Sequence, residues 1–268
     1  MSDYEERLQT HYGKLARSWG LQGQMSMQDK VVRERETTFI INQTLASLRK
    51  LGVAPEHARI LDVGCGNGHL LAALWERVAG ATLHGLEFVP ELVELANSRN
   101  LPGLLVTHAD MREPFAHENY DIIITERSVV NLLEWDWQKS AFMNITKSLR
   151  PGGHYIMVES FQEPWAEMNK ARLECGLTEV PISAHNRYLK YACLETMADF
   201  GLRKIAGVED THALSSHFFL SRVFQHLFTQ SSGRPASERV WQFFAQALPT
   251  NVGQYSPILF QVFQKDHQ

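Results

Sequence analysis

Asp62 and the glycines at 64, 66 and 68 are the residues most able to do chemistry, and they sit in the run Arg59-Ile-Leu-Asp-Val-Gly-Cys-Gly-Asn-Gly68. Glycine at alternate positions lets the main chain turn sharply and leaves no Cβ between backbone and ligand. The apolar residues Ile60 to Val63 read as a strand, and His69 to Trp75 as a helix. Strand, glycine-rich turn and helix together open an α/β nucleotide site. The third glycine comes one residue too early for a dinucleotide fingerprint. An acid before the first glycine would repel a pyrophosphate but could hold an ammonium.

The elements needed to position this turn follow in order. Ala81 to Glu87 reads as a second strand ending in an acid, and Pro90 suits the first turn of the next helix. Leu104 to Thr107 forms a third strand, followed by Asp110 and Met111. Asn119 to Thr125 is apolar enough for a central parallel strand. A helix over 138–149 stops at Arg150-Pro-Gly-Gly153, and His154 to Glu159 is the fifth strand. Residues 164–176 and 191–200 suggest helices, and 203–208 a sixth strand. Helices follow to about residue 229 and over 236–247, and 256–263 is the last strand.

The stretch 59–68 resembles motif I of the class I methyltransferases that use S-adenosylmethionine (SAM). Leu-Arg-Pro-Gly-Gly before the fifth strand is similar to the same family. The resemblance covers residues 55–160 well. It implies a doubly wound, Rossmann-like α/β fold: a seven-stranded sheet with an antiparallel last strand, N-terminal helices, and a helical insert before that strand. It further implies that the chain is an enzyme with SAM as cofactor. Asp62, Gly64, Cys65 and Gly66 would line the methionine end of SAM. Glu87, with Phe88 beside it, would take the ribose. Asp110 and Met111 would hold the adenine, and Glu126 would lie at the fourth-strand tip beside the cofactor. The expected organisation is a helical lid over 1–52 and a methyltransferase domain over 53–268, with the insert at about 212–250.

Candidates for chemistry on the acceptor are His185 and His217 as bases, since histidine titrates near neutrality. Arg127, Arg187 and Arg222 could hold an acidic acceptor. The acceptor pocket is expected between residues 126–135, 185–188 and 217–222. The charged stretch 27–36 reads either as a solvated helix face, with Asp29 paired to Arg33, or as part of the lid. The acceptor is expected to be a small molecule or glycan, methylated on oxygen or nitrogen. Two other readings stay open: a SAM-binding protein without methyl transfer, and a methyltransferase acting on RNA or protein.

Composition bounds these readings. The chain has 268 residues, 44% of them hydrophobic, and a net charge of −4. No basic block stands out, so nucleic acid is not an expected partner. No apolar run approaches the roughly 18 residues of a membrane span. Cys65, Cys175 and Cys193 are odd in number and widely spaced, as in reduced cytoplasmic proteins. The histidines form no close-set pair, so no metal is expected. A monomer and a homodimer are both compatible with the sequence.

Overall fold

The computed structural model describes residues 3–207 and 212–267. Its centre is one seven-stranded sheet in the order β3-β2-β1-β4-β5-β7-β6. The strands are β1 (Arg59–Val63), β2 (Thr82–Glu87), β3 (Leu104–His108), β4 (Tyr120–Glu126), β5 (Leu149–Ser160), β6 (Leu202–Lys204) and β7 (Ile258–Lys265). β1 to β5 are parallel, and β7 lies antiparallel between β5 and β6. The sheet is the doubly wound one expected, with its order reversing between β1 and β4.

The helices are α1 (Asp3–Trp19), α2 (Lys30–Leu51), α3 (His69–Arg77), α4 (Pro90–Asn97), α5 (Trp135–Ser148), α6 (Gln162–Glu174), α7 (Ala192–Thr196), α8 (Ser215–Phe219), α9 (Gln225–Ser232) and α10 (Glu238–Ala247). A π-helical turn, Leu220–Phe224, joins α8 to α9. The insert before the last strand is therefore helical. Among the described helices none is long and apolar enough to cross a membrane.

Each sheet face carries its own core, because parallel strands buried on both sides need apolar cover twice. One core joins Phe39, Ile40 and Leu48 of α2 to Leu70, Leu71 and Leu74 of α3 and the even-numbered strand residues Ile60, Ile122 and Ile156. The other joins Leu61, Ile123, Tyr155 and Met157 to Phe142 and Ile145 of α5. This alternation of faces along a strand is the period-two pattern of extended chain.

Three expectations need correction. The sixth strand is only Leu202–Lys204, shorter than 203–208 suggested, and Val208 lies outside the described residues. The fifth strand begins at Leu149, and the Pro-Gly-Gly turn is a bulge within it. Tyr120 pairs with Leu149, but Ile122 pairs with His154. Asp29 does not pair with Arg33. It caps α2 by accepting from Val32 N, and its other oxygen takes His217 Nε2 at 2.9 Å and Arg222 Nη2 at 3.1 Å. Arg33 instead donates to Met27 O and Ser26 Oγ.

The helices at 1–52 divide by what they cover. α2 packs on the sheet, with Phe39 stacked on Phe260 at 4.7 Å. α1 and the segment 20–29 lie over the C-terminal ends of the strands, as the contacts below define. Phe39 is buried at that stack. Phe39→Ala should cost about 3–5 kcal/mol of stability, the usual cost of an emptied aromatic site. Chemical denaturation should read it, and a loss below about 1 kcal/mol would mean that α2 is not a core helix.

Candidate active site

β1 runs apolar and buried up to Asp62 and then turns through Gly64, Gly66 and Gly68, all at positive φ (77°, 56° and 72°). At Gly64 a Cβ would fall 2.4 Å from Ser128 Cβ, so the backbone can pass β4 only as glycine. Gly64 N donates to Leu86 O at 2.7 Å, and Gly66 N to Glu87 Oε2 at 2.8 Å. Glu87 Oε1 accepts from Val89 N at 2.9 Å. The glycine turn and the tip of β2 are thus joined by one carboxylate. Each carboxylate oxygen has a second lone pair, and Glu87 lines the cleft that opens here.

That cleft, of about 1010 Å³ including its mouth, lies over the β1/β4 switch point. Asp62, Gly64, Cys65, Gly66, Glu87, Phe88, Asp110, Met111 and Glu126 all line it. Asp62 is 2% exposed, and its Oδ1 has no hydrogen-bond partner. Burial pushes its carboxyl well up, and Glu126 and Glu87 push it further. Asp110 is more occupied than the sequence suggests. Arg112 donates to it from Nε, Nη2 and the backbone N, and also reaches Glu5 Oε1 of α1 at 2.8 Å. Arg112 lies over the Trp137 ring at 4.9 Å.

Arg127 follows β4 in the left-handed region, at φ 54°. A non-glycine residue there costs about 1–3 kcal/mol and needs support. Its N donates to Val158 O at 2.7 Å, its Nε to Glu36 Oε1 at 2.7 Å and its Nη1 to Ser26 O at 3.2 Å. Glu126 Oε1 lies 3.5 Å from Nη2 as an ion pair. Glu36 is fully buried, and burial pushes its carboxyl up to about 8, against Arg127 and with Glu126. Glu159 at the tip of β5 is also fully buried. It accepts from the backbone N of Ser128, Val129 and Val130, and burial pushes it up to about 7. It fixes the turn after β4 from behind.

The roof is polar on the cleft side. Tyr4 donates to Asn131 O at 2.7 Å, and Tyr12 to Asn131 Oδ1 at 3.1 Å. Asn67 Nδ2 donates to Gly20 O and Gln22 O, and Arg99 Nη2 to Leu21 O. Tyr4, Tyr12 and Arg112 line the cleft without having been singled out from sequence; Arg33 also lines it, as does Asn131 from the expected wall 126–135. The signal was present for two of them. Tyr4, Leu8, Tyr12 and Leu15 share a helix face at helical spacing, and hydroxyls on such a face need polar partners.

Of the residues expected to act on an acceptor, Arg127 lines the cleft; His185 and His217 do not. His185 stacks on His11 at 4.1 Å and lines a separate cavity that shares Tyr4 and Leu8 with the cleft. Burial and then His11 lower its basicity. His217 holds Asp29, and Arg222 joins it there. Burial works against the charge of Asp29, yet His217, Val32 N and Arg222 hold its carboxyl below the ordinary range. Arg187 donates to Gln138 Oε1 at 3.0 Å.

Residues 60–153 match a family model described as a methyltransferase domain. A trans-aconitate 2-methyltransferase of Rhodococcus jostii is 29% identical over 101 residues, covering 38% of this chain and 37% of that protein. The biotin biosynthesis bifunctional protein BioCD of Bordetella avium is 29% identical over 125 residues, covering 46% of this chain and 26% of that protein. The chain thus spans well under two thirds of the length of these relatives. Among solved structures, the N-methyltransferase NodS of Bradyrhizobium japonicum, a complex with S-adenosylhomocysteine, superposes with a TM-score of 0.54 at 15% identity. That likeness covers 95% of this chain and 98% of NodS, and it concerns the fold.

Two raised carboxyls give a pH dependence. Glu36 and Glu159 keep protons in the folded protein that they give up at ordinary carboxyl values when unfolded. Their contribution to stability is full below about pH 4.5 and is lost as pH rises through about 7 to 8. The cofactor-free protein should therefore melt at lower temperature as pH goes from about 6 to 8.5, and Glu36→Gln should flatten part of that slope. Scanning calorimetry across this range checks it; a rising midpoint would contradict it.

Proposed function

We propose that this chain, which carries a class I SAM-dependent methyltransferase domain, methylates a nitrogen or oxygen of a small molecule. The observation that carries the reading is the roofed cleft over the switch point, where ligands of open α/β sheets bind. The cleft is lined by the glycine turn, by the tips of β2 and β4 and by α1, so a cofactor and an acceptor would meet under one roof.

The residues present fit SAM. Its ammonium suits the unpartnered, buried Oδ1 of Asp62. The positive-φ glycines leave a cradle that side chains would fill. Arg33 lines the cleft, and no carboxylate among the described residues forms a salt bridge with it, so it suits the carboxylate of SAM. Glu87 is aimed by two backbone amides and can take the ribose hydroxyls with its remaining lone pairs. Met111 packs at the adenine side, and Asp110 reaches it while also bound to Arg112.

When bound, SAM supplies an electrophilic methyl group. The chain must then orient the acceptor and exclude water. α1 and segment 20–29 act as the lid, fastened through Asn131, Asn67, Arg99 and Arg112. Tyr12 holds its hydroxyl at the roof of the cleft, where it can orient a nitrogen or oxygen nucleophile. His185 lines the separate cavity that shares Tyr4 and Leu8 with the cleft, and acts only if the acceptor reaches around them.

Radiolabelled SAM with a panel of small amines, amino sugars and carboxylic acids, trans-aconitate among them, tests the reading. Label should move to a small-molecule product. Binding of SAM with no product from any acceptor class would favour a SAM-binding role without transfer. Glu87→Ala should weaken SAM binding about tenfold or more, because hydrogen bonds to a charged group contribute about 1.5–3 kcal/mol. Unchanged affinity by calorimetry would remove Glu87 from the site. Tyr12→Phe should leave SAM affinity intact and lower kcat/KM about tenfold. An equal loss of SAM affinity would move Tyr12 to the cofactor's side.

A further inference from the structure

Glu36, Glu126 and Arg127 form a cluster that cofactor binding alone does not explain. Two carboxyls meet one guanidinium. Arg127 Nε takes Glu36 Oε1 at 2.7 Å, and Nη2 lies 3.5 Å from Glu126 Oε1. Glu36 Oε2 and Glu126 Oε1 are both buried with no hydrogen-bond partner among the fixed donors. Carboxylate oxygens cannot bond one another, but a carboxyl and a carboxylate can. A single proton between Glu36 and Glu126 satisfies both orphans. It also brings the buried cluster from one net negative charge to neutrality, which a dry site favours.

We propose that Glu36 and Glu126 share one proton across Arg127 in the cofactor-free protein, lose it when the sulfonium of SAM binds, and regain it as the methyl acceptor gives up its own. This deepens the methyltransferase reading and rests on it. Glu126 faces the cleft, and Glu36 stands behind it in α2. The charged and titratable groups around the pair are Arg33 from α2, Asp62 from β1, His69 from α3, Tyr12 from α1, and Tyr188. Burial pushes the Glu36 carboxyl up to about 8, and Glu126 beside it pushes the same way.

Charge and atoms balance over the cycle. SAM carries a sulfonium, an ammonium and a carboxylate, for a net charge of plus one. A cation beside a shared proton expels it. Methyl transfer breaks the carbon–sulfur bond, leaves the bonding pair on sulfur, and uses a lone pair of the acceptor to form the new bond. The positive charge vanishes at sulfur, and the acceptor's proton must leave. Glu126 takes that proton, and the pair is neutralised again beside Arg127. The cluster thus holds a place for the proton only once the methyl has gone.

S-adenosylhomocysteine isolates the claim, because it keeps the ammonium and carboxylate and lacks only the methyl and its charge. Titration calorimetry at about pH 7, in two buffers of different ionisation enthalpy, counts protons released on binding. Any proton that the shared ammonium displaces from Asp62 is common to both ligands, so the wild-type chain should release close to one proton more with SAM than with S-adenosylhomocysteine. Glu36→Gln should bind both and abolish the difference. Glu126→Gln serves the same purpose if Glu36→Gln does not fold. Equal proton counts for the two ligands in the wild type, or a difference that survives in both variants, would overturn the inference while leaving the methyltransferase reading intact. Failure of either ligand to bind would overturn that reading, and the inference with it.

Discussion

The amide of Gly66 donates to Glu87 across the gap between β1 and β2, and the cleft is built outward from that bond. The cleft opens beside this bond because the sheet order reverses between the neighbouring strands β1 and β4. The glycine turn can stay open because positive φ costs glycine little. The carboxylate fixes how far it opens. Burial raises Glu87's proton affinity, and its backbone donors oppose that rise. A carboxylate held by the chain itself is ready for hydroxyls without rearranging, which keeps the cost of binding low.

Outside this clasp, the site is governed by how buried charge is satisfied. Arg112 ties Asp110 to α1, so the far wall of the cleft and its roof share one guanidinium. Arg127 ties the end of β4 to α2 and to segment 20–29. Asp29 ties the start of α2 to the helical insert. The N-terminal helices therefore join the site through two ion-pair nodes, at Arg112 and Arg127, and the insert through a third at Asp29. Removing one partner of the most buried of them, Arg127–Glu36, leaves the other uncompensated, and that costs more than an exposed pair ever returns.

Much of this was legible from the sequence. The apolar runs at β1, β2 and β4, the early third glycine and the acid at position 62 fix the fold class and its cofactor. Local patterns carry that information because each is made by neighbours in the chain. The Asp29 pairing was not legible, since its partners His217 and Arg222 lie 188 and 193 residues away. Helix periodicity offered Arg33 instead. Asp110 was read as free for adenine because Arg112, two residues on, could have pointed either way. Tyr12 carries no local mark of a polar role, and only the fold brings Asn131 to its hydroxyl, 119 residues away in the chain. The Pro-Gly-Gly turn read as the gap before a strand, and the register shift after Tyr120 absorbs it as a bulge.

The central claim is that SAM sits between the glycine turn and α1. Amide hydrogen exchange with and without SAM tests it most directly, since protection follows the backbone that ligand and lid hold still. The account predicts slower exchange at 63–68, 86–89 and 110–112, together with α1 at Asp3–Trp19 and the roof segment 20–29. Protection confined to the helical insert at 215–247, or a glycine turn whose exchange SAM leaves unchanged, would contradict it.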